Sequence, residues 1–251
     1  MDTISVDYHG KVAIARLNRD VTNALNPACV QELGELLRDI ENDSDVHGLV
    51  LGSSSDKFFS IGLDLTELFE LKKEAFRDFF RQFNQVCMDL YTLPKPTVAA
   101  ITGHAIAGGC ILALCCDYRF VSEGRKLMGL NEIKLGVPVP YLADRLLHAL
   151  TGVRQAREMM ESGEFYAPEE TLAMGLVDEV LPMALVAEKA VEHAGRLGEM
   201  PEAAYAVIKQ NRVEMIAAEV STREPDKEWH FIECWFSKDT RARLREAMEK
   251  F

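Results

Sequence analysis

No G-x-G-x-x-G follows a strand-like run and no G-x-x-x-x-G-K-[ST] occurs, so the usual glycine cradles for dinucleotides and nucleoside triphosphates are missing. G-x-S-x-G is absent too, which removes support for a serine-hydrolase elbow. Metal chemistry has little to work with. H-E-x-x-H does not occur, no two cysteines form C-x-x-C, and the six histidines are scattered without ligand spacing. Basic residues are few beside acids: 28 Lys and Arg against 40 Asp and Glu give a net charge of −12. That balance argues against nucleic acid or an anionic membrane surface as a main partner. It is compatible with a phosphorylated ligand, because a local basic cluster acts within ~8 Å at physiological salt.

Only one apolar run is long enough to cross a bilayer: Thr97 to Cys116, 20 residues without formal charge unless His104 is protonated. Thr102-Gly103-His104 and Gly108-Gly109 interrupt it, and TVAAI is β-branched. It reads as a buried strand, a glycine-rich turn and a buried helix. The six cysteines lie mostly in apolar runs and read as reduced core residues of a reducing compartment. MDTISVDYHG resembles neither a signal sequence nor an Arg-rich transit peptide, so a cytoplasmic location is expected.

The chain has 251 residues, 48% apolar and 27% charged, enough to bury one large core. ISVDY and VAIARL alternate around His9-Gly10 and predict a hairpin. Pro27 opens a helix over 27–41, with Val30, Leu33, Leu37 and Ile40 on one face. HGLVLGSS, TVAAI, DYRFVS and LVDEVL read as further strands. An aromatic stripe from Phe69 to Phe83 marks a core-facing helix within 66–92. Strands alternating with helices predict an α/β sheet core over residues 1–190. A helical C-terminal region over 191–251 follows, with helices at 184–198, 201–219 and 227–250.

Three segments can carry chemistry. FFSIGLDL (58–65) sets Gly62 and Leu63 at a strand-to-helix corner, and IAGGC (106–110) sets Gly108 and Gly109 at the start of the buried helix. A helix N-terminus offers unpaired N–H donors and a partial positive charge that suit an oxyanion. GLNEIKLG (129–136) places one carboxylate, Glu132, between Leu130 and Ile133. Singly, each reads as an ordinary turn or an exposed loop.

In this order, and with APEETLAMGLVDEVLP downstream and VAIARLNRDVTNALNP upstream, the segments resemble the crotonase (enoyl-CoA hydratase/isomerase) superfamily over nearly the whole chain. The resemblance implies a (ββα)n spiral core with a helical C-terminal trimerisation region, a homotrimer or hexamer, and an acyl-CoA substrate. No separate cofactor is implied, since coenzyme A enters as part of the thioester. It implies that the amides of Leu63 and Gly108 hold the thioester oxygen. Ile61, Gly62, Asp64, Leu65 and Asn131 are expected to line the substrate, and Lys250 to meet CoA phosphate. Arg19 and Lys209 are weaker phosphate candidates. Trp229, Ile232, Trp235 and Phe236 are expected on one side of the last helix.

Hydratases of that family carry a second glutamate where this chain has Ile111, and dienoyl-CoA isomerases a further acid where it has Pro140. Hydration needs one group to activate water and another to protonate carbon. A single glutamate suits a 1,3-proton shift, and the motifs most resemble Δ3,Δ2-enoyl-CoA isomerases. A hydratase or thioester hydrolase using Glu132 alone, and a non-catalytic CoA- or RNA-binding relative, are the alternatives.

Overall fold

The computed structural model of the chain describes residues 1–249. In chain order the elements are β1 (Ile4–His9), β2 (Val12–Leu17), α1 (Pro27–Asn42), β3 (Gly48–Ser53), β4 (Phe58–Ser60), α2 (Leu65–Phe69) and α3 (Lys73–Thr92). Next come β5 (Thr97–Ile101), β6 (His104–Ile106), α4 (Gly108–Cys115), β7 (Tyr118–Ser122), β8 (Met128–Gly129) and α5 (Glu132–Leu135). The chain continues through α6 (Tyr141–Ser162), α7 (Pro168–Ala173), β9 (Glu179–Leu181), α8 (Met183–Gly198), α9 (Glu202–Trp235) and α10 (Lys238–Met248).

The expected hairpin forms: β1 and β2 pair antiparallel, with Ile4 opposite Leu17. All other pairs in the large sheet are parallel, in the order β1-β2-β3-β5-β7-β9. A second parallel sheet, β4-β6-β8, takes one short strand after each of β3, β5 and β7. Each turn of the chain is thus strand, strand, helix, and three such turns coil into the spiral expected from the resemblance. Because side chains alternate across a strand, Leu49 and Leu51 enter the main core while Val50 points the other way. There Val12, Val50, Val98 and Phe120 meet Val186, Ala190 and Ala194, spaced four apart on α8. Residue 190, the expected division between core and helical region, lies inside α8.

The α1 helix follows its sequence signals. The Asn26 side chain accepts the Cys29 N–H at 2.9 Å, Pro27 holds the first turn, and Leu33, Leu37 and Ile40 are buried. The five cysteines from Cys29 to Cys116 are buried and Cys234 is half-buried, all as free thiols. Burial pushes the Cys29 thiol up to about 11. Among the described residues, no helix is long and apolar enough to cross a membrane.

Two expectations in the C-terminal third need correction. The helices read as 201–219 and 227–250 are divided elsewhere: α9 runs unbroken through Pro225, and the break falls at Phe236–Ser237. Interior proline costs a helix about 3 kcal/mol, yet α3 grips α9 on both sides of it. Asn84 Nδ2 donates to Glu224 at 2.6 Å, and Arg81 Nε donates to Glu228 at 2.6 Å. The aromatic residues near the end of α9 also do not share one side. Ile232 and Trp235 are buried in the chain's own core, whereas Trp229 is 56% exposed.

Candidate active site

The corner after β4 is fixed from below by a buried asparagine. Asn23, in a left-handed conformation (φ 48°), donates from Nδ2 to Ser53 Oγ at 2.8 Å and to the Phe59 carbonyl at 3.2 Å. Its carbonyl accepts the Ser60 hydroxyl at 2.7 Å, and Ser60 Oγ accepts the Gly62 N–H at 3.1 Å. The chain then runs beside Leu25: the Leu25 N–H donates to the Gly62 carbonyl at 2.7 Å, and the Asp64 N–H to the Leu25 carbonyl at 3.0 Å. That parallel bridge uses the groups flanking Leu63. Alternation along an extended chain therefore turns the N–H of Leu63 itself away from Leu25.

Gly108 lies on that other side. A Cβ on Gly62 would stand 2.9 Å from the Gly108 nitrogen, and one on Gly108 would stand 3.4 Å from the Leu63 nitrogen. With φ at +96° and this close approach, position 62 admits only glycine without strain. Gly108 is the first residue of α4, where helix N–H groups have no intrahelical acceptor. Ala107, just before it, holds φ 48° and ψ −121°. Its own N–H donates to the Gly129 carbonyl at 2.9 Å, which ties this unusual conformation to β8.

Glu132 is the first residue of α5 and only 5% exposed. Its Oε2 and the Oδ1 of Asn131 have no hydrogen-bond partner among the described residues. Burial pushes the Glu132 carboxyl up to about 7, opposed only by its own backbone N–H. Among the described residues no cation compensates it.

A cavity of about 420 Å³ joins the pieces. Ile61, Leu63, Asp64, Leu65, Gly108, Ile111, Asn131 and Glu132 all line it, so the structure brings together the expected residues of three separate segments. Ile111 is one turn along α4 from Gly108, and Pro140 lines the same space. Gly62 lies at the edge of this group through its contact with Gly108. Of the three carboxylates in the wall, Asp20 is exposed, and Asp64 pairs with Arg19 at 2.7 Å while accepting the Glu67 N–H at 3.0 Å. Glu132 is the buried one, with no ion-pair partner among the described residues.

Arg19 lines the cavity as well, donating to the Ala24 carbonyl at 2.8 Å. Lys209 does not reach it, which corrects its reading as a phosphate candidate. It is 2% exposed, and its ammonium donates to Asp117 at 2.8 Å and to the Lys95 carbonyl at 2.9 Å. Lys250 lies outside the described residues. Sequence reasoning missed Asn23, Ser60 and Ala107 as supports of the amides, and Phe83, Phe231 and Trp235 as cavity wall. Asn23 within the polar loop before Pro27 was the one available signal.

Among the described residues no cluster of His, Cys, Asp or Glu could hold a metal ion. One cavity thus holds a buried carboxyl raised to about 7 together with Leu63 and Gly108, whose peptide nitrogens lie close to one another; groups of these kinds can remove a proton beside a carbonyl and hold the resulting oxyanion.

"Enoyl-CoA delta isomerase 1, mitochondrial" of Mus musculus is 36% identical over 180 residues, covering 71% of this chain and 62% of that protein. A "Short-chain-enoyl-CoA hydratase" of Clostridium acetobutylicum is 28% identical over 251 residues, covering 100% of this chain and 96% of that protein. The crystal structure of human mitochondrial delta3-delta2-enoyl-CoA isomerase superposes with a TM-score of 0.95 at 27% identity, covering 99% of this chain and 97% of that one. The family model for enoyl-CoA hydratase/isomerase matches residues 7–251, and the chain belongs to that family, the crotonase superfamily.

Proposed function

We propose that the chain is a Δ3,Δ2-enoyl-CoA isomerase that moves a double bond from C3 to C2 of an enoyl-CoA by a single-carboxylate proton transfer. The thioester oxygen accepts the N–H groups of Leu63 and Gly108. Ionised Glu132 takes a proton from C2, the C2–H electron pair enters conjugation with the thioester, and the dienolate oxygen rests on the two amides. Protonated Glu132 then returns the proton at C4, the C3–C4 double bond becomes C2–C3, and the carboxylate is regenerated. Each oxyanion donor of this kind is worth about 3 kcal/mol in other enzymes.

The observation that carries this reading is the solitude of Glu132. Ile111 and Pro140 line the cavity at the positions where the resemblance puts the acids of hydratases and dienoyl-CoA isomerases, and among the described residues no second buried carboxylate lines it. Apolar Ile111 offers no acid or base of its own to a water for addition. The hydratase reading has the full-length relative in its favour and is separated from this one by its product.

Glu132→Gln keeps the shape of the side chain but cannot accept a proton. Conversion of 3-enoyl-CoA should fall by at least a hundredfold, with affinity for a saturated acyl-CoA within a few-fold of the parent. Retention of a tenth of the activity, under ~1.4 kcal/mol of barrier, would remove Glu132 from its role as base. A homotrimer or hexamer and a cytoplasmic location complete the proposal. Ile208, Met215 and Trp229, exposed along α9, support the assembly, and light scattering of the purified protein measures it.

A further inference from the structure

Base and oxyanion amides come from loops far apart in sequence, and each is followed at once by a short helix. Glu132 opens α5, four residues long, and Leu63 and Asp64 run into α2, five residues long. Helices of one turn have little stability of their own. Beyond the contacts that hold each one separately, an element that touches both would tie their placements together.

That element is α10. Thr240, 3% exposed, donates its hydroxyl to the Gly136 carbonyl at 2.9 Å, at the C-terminal end of α5. Gly136 has φ +88°, and a Cβ there would stand 2.6 Å from Thr240 Oγ1, so the contact is as close as a glycine allows. The Gly136 turn also sets the Val137 N–H to donate to the Glu132 carbonyl at 3.1 Å, which links the hydroxyl to the backbone of the base itself. The next residue of α10 reaches the other helix. Arg241 Nη2 donates to the Phe69 carbonyl at 2.7 Å, and the guanidinium lies 3.3 Å from the Phe69 ring centroid. Phe69 ends α2, whose N-cap is Asp64, one residue beyond the amide of Leu63. Ser237 caps α10 itself by accepting the Thr240 N–H at 3.3 Å, which stiffens the turn that carries both contacts.

We infer that α10 is a brace across the active site: Thr240 and Arg241 are positioning residues that hold the base on α5 at its working distance from the oxyanion amides before α2. This rests on the isomerase reading for its catalytic consequence, though the brace itself does not. Neither side chain lines the cavity, so each acts through the helix it holds.

The test compares Thr240→Val, which keeps the shape and removes the hydroxyl, with Thr240→Ser, which keeps the hydroxyl. Amide hydrogen exchange is followed by mass spectrometry on the full chain, beside steady-state turnover of 3-enoyl-CoA. Thr240→Val should speed exchange over residues 132–137 and lower kcat at least tenfold, with KM within threefold. Thr240→Ser should restore both. Arg241→Lys, which loses the planar fork, should speed exchange over 64–70 and likewise lower kcat more than it raises KM. Unchanged exchange over 132–137 in Thr240→Val, or a rise spread evenly along the chain, would overturn the brace. Should the parent convert no 3-enoyl-CoA, the isomerase reading fails while the exchange comparison still decides whether α10 holds α5.

Discussion

Above its titration midpoint Glu132 carries a buried negative charge with no partner among the described residues, and pH governs both its reactivity and its cost. Its carboxyl moves from an ordinary value near 4.5 to about 7 in the fold, because burial disfavours the ionised form. Below 4.5 both folded and unfolded chains hold the proton, and the site has no effect on stability. Between 4.5 and 7 the unfolded chain ionises while the fold retains its proton, so stability falls as pH rises. Above 7 the loss is complete, about 3 kcal/mol. Glu132→Gln should therefore be more stable than the parent at pH 8 by up to that amount, with no gain at pH 4. Urea unfolding at the two pH values measures it, and an equal difference at both would contradict the burial account. Turnover should rise with pH through about 7, since only the ionised form removes a proton.

At the scale of the element, the isomerase proposal turns on one position of α4. Ile111 lies on the turn after Gly108 and faces the cavity. Ile111→Glu should add measurable hydration of 2-enoyl-CoA and weaken isomerisation by admitting water. Burying the new carboxylate near Glu132 should destabilise the fold by about 1–3 kcal/mol. If this variant folds, binds acyl-CoA and adds no water, the choice of reaction lies in the Val137–Pro140 loop instead. Much of this element was legible in the chain itself. TVAAI is β-branched, Gly108-Gly109 interrupts the apolar run, and the two predict a buried strand, a glycine-rich turn and a buried helix; strand and helix form, and the short strand β6 stands where the turn is expected. The short strands β4, β6 and β8 were not legible, because runs of two or three residues are too brief to display a period of two. Pro225 misled for another reason: local propensity favours a break there, and ion pairs and hydrogen bonds to α3 override it.

On the scale of the whole molecule, the helical C-terminal region is bound to the α/β core by charge as well as by apolar packing. Asp117, between α4 and β7, pairs with Lys209 at 2.8 Å and with Arg212, and accepts the Thr97 N–H at 2.9 Å. Burial pushes its carboxyl up, and the two α9 cations together more than reverse this, holding it below its ordinary range. Asp117→Asn would leave Lys209 buried without its counter-charge, a loss of about 3–5 kcal/mol. Thermal unfolding should shift down by roughly 10 °C, with acyl-CoA affinity preserved in the folded fraction. An unchanged midpoint would mean that the cluster adds nothing to the α9 junction. A lone lysine in an amphipathic helix reads as solvated, so this role of Lys209 was invisible before its acid, 92 positions away, was seen beside it.

Product analysis on paired substrates reaches the central claim most directly, since a solitary buried carboxylate should shift a double bond and fail to add water. Purified protein is given 3-enoyl-CoA in one reaction and 2-enoyl-CoA in another, and the acyl-CoA products are separated and identified. The account predicts that 3-enoyl-CoA becomes 2-enoyl-CoA, while 2-enoyl-CoA yields little or no 3-hydroxyacyl-CoA. Rapid formation of 3-hydroxyacyl-CoA from 2-enoyl-CoA, with 3-enoyl-CoA left untouched, would contradict it.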